Sequence, residues 1–247
     1  MAASTTFGRE SKPKESPMLL PLRTLLTASF LLTALLTAQE NPTLWLRLDE
    51  GSGNLIGDAN GRYKGENKGA LWAPGKSGKA VEVNGTNGYL RVPITNLEGS
   101  FTFSAWTKPL AVSNDNPGGE ACIVARTGFH NAIGYNARGR FYFGLWQEDN
   151  KNPAATSPVE SAPGAWYHVV GVYDKEASKL HIYVNGDLKA STATSGAPRK
   201  YGPVLFIGTG STGGKYSFGY RGVVDEVKVY SRALSAQEIK NAFEAQK

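Results

Sequence analysis

KLHIYVNGDLKAST, residues 179–192, consists of two strand-like runs joined by Asn185–Gly186. An Asn-Gly pair between two such runs is the strongest short-range signal of a β-hairpin, because both turn residues must take positive φ. The same texture extends in both directions from residue 41 onward. Short apolar or alternating runs are broken by Gly, Asn, Asp and Pro, with a further turn at NGTNG, 84–88. Strands are predicted near 44–48, 69–72, 79–83, 89–92, 101–107, 121–126, 131–135, 140–146, 165–173, 179–185, 187–192, 204–207 and 222–230. Many short strands at this spacing predict an all-β sandwich or barrel.

One stretch reads differently. In SAQEIKNAFEAQ, Ser235 is a good N-cap and Glu238 stands three residues later, which makes a capping box. Ile239, Ala242 and Phe243 follow on one stripe, so a short C-terminal helix is expected to cap the sandwich.

Composition agrees with a single packed domain. Gly 29 and Pro 13 supply the turns, and 40 % hydrophobic residues are enough for a core. Residues 39–247 are expected to form one domain, preceded by a segment of another kind over 1–38. Residues 18–38 open on a Met, carry Arg23, run apolar from Leu25 to Leu36 and end on Thr37–Ala38. That is the form of a secretory signal peptide, with an apolar run too short for the ~20 residues of a bilayer span. The polar stretch 1–17 is expected to precede the natural start at Met18. The expected location is therefore outside the cytoplasm (extracellular, periplasmic or cell surface), with no stable membrane insertion after leader removal.

The net charge is +6, from 27 basic and 21 acidic residues, and falls to +4 without residues 1–38 (23 minus 19). An excess this small, with no Lys/Arg run, argues against nucleic acid. Cys122 is the one cysteine, so an internal disulfide and a cysteine-based zinc site are excluded. Its apolar neighbours in ACIVA predict a buried residue.

Three groups of motifs resemble the laminin-G-like jellyroll modules of the concanavalin A-like lectin/glucanase superfamily. They are LWLRLDEGSGNLIGDANGR at the start, FTFSAWTKP with AWYHVVGVYD and KLHIYVNGDL in the middle, and GVVDEVKVYSRALSAQEI at the end. The resemblance implies a two-sheet antiparallel β-sandwich (jellyroll), with the first and last strands side by side. Its members are usually binding modules, often for carbohydrate, and many need calcium. The fold by itself does not fix a ligand.

Alternation in RFYFGLW places Phe141, Phe143 and Leu145 on one face and Arg140, Tyr142 and Trp146 on the other. The first set suits the core. The second is expected to expose two large aromatics, the kind of surface that stacks on a sugar ring. Arg140, Gln147 and Asn136 are the candidate polar contacts to its hydroxyls. The Gly-rich tract TGSTGGKYSFGYRG, 209–222, is expected to be a rim loop presenting Tyr216 and Tyr220. A glycan or polysaccharide, bound on the concave sheet face, is the expected partner. A structural or adhesive contact with protein at the cell envelope is the alternative.

Asp225 lies in GVVDEVKVY, where Val223, Val227 and Val229 are expected to share its face. A buried carboxylate there needs a cation, an arginine or several backbone N–H groups. Calcium held by Asp58, Asp225 and Glu50 is one candidate; capping of loop N–H groups without metal is the other. His168 and His181 are expected to be packing residues, and His130 a loop residue. Catalysis is not expected, and a divergent glycoside hydrolase is the third alternative. The acidic pairs Asp49–Glu50, Glu148–Asp149 and Asp225–Glu226 are adjacent in sequence and diverge across a strand, and glycoside hydrolysis needs two facing carboxyls.

Overall fold

The computed structural model describes residues 1–3, 41–94, 97–112, 119–127, 132–200, 202–212 and 215–247. The chain divides into two compact units, Met1–Glu40 and Asn41–Lys247. The leader read over 18–38 lies outside the described residues, as does His130. Among the described residues no helix is long and apolar enough to cross a membrane.

In the second unit the strands are β1 (Leu44–Leu46), β2 (Leu55–Gly57), β3 (Lys64–Lys68), β4 (Leu71–Pro74), β5 (Lys79–Asn84), β6 (Tyr89–Pro93), β7 (Phe101–Pro109), β8 (Glu120–Arg126) and β9 (Ala132–Asn136). They continue as β10 (Phe141–Gly144), β11 (Ala154–Thr156), β12 (Tyr167–Asp174), β13 (Lys179–Val184), β14 (Asp187–Ala193), β15 (Val204–Ile207), β16 (Gly210–Thr212), β17 (Lys215–Ser217) and β18 (Arg221–Tyr230). A helix, α1 (Ala236–Glu244), closes the chain.

The first sheet runs β14-β13-β12-β7-β18-β5-β4, with β1 also paired to β18; the second runs β11-β10-β9-β8-β15-β6-β3-β2. Each has eight strands, all paired antiparallel, and β16–β17 form a small separate ribbon. The first and last strands do lie side by side, Leu44 opposite Val229 and Leu46 opposite Val227. The β13–β14 turn is the one its sequence predicts, with Asn185 at φ 54° and Gly186 at φ 82°.

The core lies between the sheets. Phe101 and Phe103 of the first sheet meet Phe143 of the second edge-on, at 6.1 and 6.2 Å between ring centres. Phe143 packs so close over Gly171 that a Cβ there would lie 2.3 Å from its ring. Complete burial of each such ring contributes about 1.5–3 kcal/mol. Phe141, Phe143 and Leu145 are all fully buried, as their alternation predicts.

The sequence reading misses β2, β3, β11 and the β16–β17 ribbon. β2, β3 and β11 sit at or next to sheet edges and are short, and β3 (KGENK) has no apolar alternation to announce it. The helix forms as expected. Ser235 accepts from the backbone N–H of Glu238 and Glu238 answers at the N-cap, while Ile239 is buried against Val170, Val172, Tyr183, Tyr230 and Leu234 on the outside of the first sheet.

Candidate functional site: the outer face of the second sheet

β6 reads YLRVP. Leu90 and Val92 enter the core, so Tyr89 and Arg91 turn outward. Register carries that face across the neighbouring strands. Arg91 lies opposite Phe206 on β15 and Glu66 on β3, and Tyr89 opposite Lys68. Glu66 in turn lies opposite Leu55, a 73 % exposed side chain on the edge strand β2. Farther along, Phe206 lies opposite Ala125 on β8, Ala125 opposite Ala132 on β9, and Gly134 on β9 opposite Tyr142 on β10.

The face has two halves. Beyond Glu120 and Asn136 at their shared end, the outward residues of β8 and β9 are small, and Cys122, Ala125 and Ala132 are covered by Phe218. The second half, on β3, β6 and β15, carries the ribbon residue Tyr216. Its ring lies 4.7 Å from Tyr89 and 5.8 Å from Phe206, and it is 50 % exposed. A charged border runs beside these rings, with Lys68 Nζ 2.9 Å and Arg91 Nη1 3.9 Å from Glu66 Oε2. Burial, and then the Tyr216 side chain, push the Tyr89 phenol up to about 12, so it is a neutral hydrogen-bonding group at any ordinary pH. The bond and charge of Lys68 hold the Glu66 carboxyl below its usual value.

Tyr142 corrects the expectation of an exposed aromatic pair. It faces away from the inter-sheet core, as alternation requires, but it is 4 % exposed. Its ring leans flat across Gly134, where a Cβ would lie 2.2 Å from Cζ, and its hydroxyl reaches Ala121 O at 3.4 Å. Burial drives its phenol and the Cys122 thiol well above their ordinary values. Alternation gives the face of a side chain, not what covers that face.

The other expected contacts are also placed elsewhere. Trp146 is half-buried under Arg199, whose guanidinium lies 5.1 Å from the ring centre. Gln147 is fully buried, and its side chain ties down the backbone at Ser195 and Gly196. Asn136 closes the β9–β10 turn by accepting from the N–H groups of Arg138 and Arg140. Arg140 pairs with Glu160 at 3.8 Å. Tyr220, expected on a rim loop, is fully buried in the inter-sheet core with its hydroxyl 2.8 Å from Thr107 Oγ1. Of the tract 209–222, Tyr216 is the ring presented outward.

The metal reading does not fit these residues. Asp225 sits at a β-bulge where Glu226 takes φ 51°, and the extra residue reverses the parity of β18. Val224, Val227 and Val229 therefore enter the core, and Asp225 faces the opposite side from Val227 and Val229. Its Oδ2 accepts from the N–H groups of Lys76 (2.8 Å) and Ser77 (3.0 Å), its Oδ1 from that of Glu226 (2.8 Å). Asp58 accepts from the backbone N–H groups of Trp45, Asn60 and Arg62, and Glu50 from that of Gly57. All three carboxylates thus serve as backbone caps. Among the described residues no three His, Cys, Asp or Glu side chains are grouped to hold a metal ion.

The histidines in strands are packed. His168 Nε2 lies 2.9 Å from Ser104 Oγ, its ring is beside those of Trp106 and Phe243, and burial lowers it to about 3. His181 Nδ1 lies 2.6 Å from Ser191 Oγ.

Residues 84–240 match the laminin G family of the concanavalin A-like lectin/glucanases superfamily. The chain belongs to that superfamily. Among solved structures it is similar to the binding domain of Paraclostridial mosquitocidal protein 1, with a TM-score of 0.68 and 18 % identity over 83 % of this chain and 52 % of that one. The botulinum neurotoxin serotype D binding domain gives 0.65 and 14 % over 83 % and 52 %. A botulinum neurotoxin type C structure, whose cell entry depends on interaction with two ganglioside molecules, gives 0.64 and 13 % over 84 % and 51 %. The chain spans about half the length of each. At these identities the likeness establishes the jellyroll fold. No curated protein matches the chain.

Proposed function

We propose that this chain is a secreted, non-catalytic module that binds glycans on the outer face of its second sheet. The observation that carries the reading is the group formed by Tyr216, Tyr89 and Phe206 beside the Lys68–Glu66–Arg91 border. A half-exposed ring next to charged hydrogen-bonding groups provides stacking for the apolar face of a sugar and polar contacts for its hydroxyls. The similarity to binding domains, one from a toxin that interacts with gangliosides, supports the same reading, since gangliosides are sugar-bearing lipids. The leader-like segment 18–38 supports export.

Spacing on this face supports the absence of glycosidase chemistry. Glu120 on β8 and Glu66 on β3 both point outward, but β15 and β6 stand between their strands. Three strand spacings amount to ~14 Å, well beyond the separations of about 5–9.5 Å that glycoside hydrolysis uses.

The test is retention of the full chain on an array of neutral and acidic glycans, compared with Tyr216→Ala. Retention lost in the variant supports the reading. Equal retention by both moves the contact elsewhere, and no retention by the unaltered chain favours a protein partner.

A further inference from the structure

At one end of the sandwich, residues 97–99, 126, 148, 173, 175 and 197–200 line a cleft of about 410 Å³. That volume lies within the range of small-molecule sites. Arg126, Lys175, Arg199 and Lys200 line it, against Glu98 and Glu148. Both carboxylates border the same cleft, yet among the described residues neither comes within ion-pair distance of Lys175, Arg199 or Lys200. Arg126 is 4 % exposed and contributes a charge from within the wall. Four basic and two acidic side chains leave an excess of +2 (4 minus 2) around a concave, partly desolvated space, and that positive potential attracts an anion.

The wall carrying Arg199 is built in advance. Arg199 N–H donates to Trp146 O at 2.8 Å, Glu148 N–H donates to Ala197 O at 3.0 Å, and buried Gln147 anchors Ser195 and Gly196. The Arg199 guanidinium rests over Trp146 and also meets the Asn150 side chain. A wall fixed in this way loses little freedom when a ligand arrives.

We infer that this cleft is a second binding site, for a small oxyanion-bearing molecule: a carboxylate, sulfate or phosphate. A guanidinium provides paired donors for planar or tetrahedral oxyanions, and the two lysines add charge at the mouth. The site does not depend on glycan binding at Tyr216.

The test titrates the full chain with inorganic phosphate, sulfate and D-glucuronate at matched ionic strength, with glucose as the neutral control. Binding is read by calorimetry and by backbone amide shifts. At least one anion is expected to saturate while glucose does not, with shifts confined to 97–99, 126, 148, 173, 175 and 197–200. The preferred anion separates an acidic sugar from free phosphate or sulfate. Lys175→Glu with Lys200→Glu should weaken binding by about tenfold or more, whereas Arg at both positions should preserve it. Both lysines are exposed, so folding is checked by an unchanged unfolding midpoint without anion. No saturation by any anion, shifts elsewhere, or unaltered affinity in the glutamate variant overturns the inference. Tyr216→Ala should leave the anion affinity unchanged.

Discussion

The ring of Tyr216 lies 4.7 Å from that of Tyr89, inclined at 32°, although the two residues come from a ribbon and a sheet strand far apart in sequence. Because Tyr216 is 50 % exposed while Phe206 beneath is 4 % exposed, Tyr216 is the ring that reaches solvent most and Phe206 supports it. Tyr216→Ala is expected to abolish glycan retention and to cost less than about 1 kcal/mol of stability, as befits a surface substitution. Array binding and a denaturant titration on the same preparation check both halves.

Gly134 makes room for Tyr142. A Cβ at Gly134 would lie 2.2 Å from Tyr142 Cζ, so Gly134→Ala forces that ring off the sheet. The expected loss is about 1–3 kcal/mol, the usual range for overpacking. Combining it with Tyr142→Leu should give a loss smaller than the sum of the two single losses, because the side chains occupy one space. Urea unfolding of the four chains in the cycle measures the coupling.

Asp225 links stability to pH. Burial raises its carboxyl to about 7 in the folded protein, against the pull of the Ser77, Glu226 and Lys76 N–H groups. The folded chain therefore keeps a proton that the unfolded chain has lost above its ordinary carboxylate value of 3.8. This group's contribution is greatest at low pH, declines from about pH 4 to about pH 7, and is level above that. Asp225→Asn should remove this decline. It should also lower stability at neutral pH by about 1–3 kcal/mol, because its NH₂ meets a backbone N–H where an oxygen accepted one. Unfolding midpoints of both chains across pH 4–8 check the slope and the offset.

Glu238 has the opposite sign. Arg232 first, and then the Ser235 backbone and hydroxyl, lower its carboxyl to about 2 in spite of its partial burial. Its contribution is complete above the ordinary glutamate value of 4.5 and disappears as pH falls toward 2. Glu238→Gln should cost about 0.5–1 kcal/mol at pH 7, allowing for solvent screening, and nothing at pH 2. Loss of α1 helicity by circular dichroism should follow the same pH course.

Local chemistry was sufficient for much of this protein. The positive-φ turn at Asn185–Gly186, the capping box of Ser235 and Glu238, and the inward set Phe141, Phe143 and Leu145 all follow from steric and periodic rules that act within a few residues. Tyr89 and Arg91 are legible in the same way, as the positions that alternate with Leu90 and Val92. What alternation does not contain is the identity of the neighbour above a face. Phe218 over Cys122 and Tyr216 beside Tyr89 bring together residues remote in the chain, Tyr142 lies across Gly134 through hairpin register, and these contacts decide which rings are sealed and which are open. The bulge at Glu226 has the same character. One extra residue in β18 reverses every side chain beyond it, and what holds it is antiparallel pairing with β7, more than a hundred positions away in the chain. The sequence by itself determined the longer core strands, the Asn185–Gly186 turn and the helix cap, because those energies are local; the tertiary structure decided the short edge strands, burial, carboxylate partners and the open site, because those depend on contacts that only the folded sheets create.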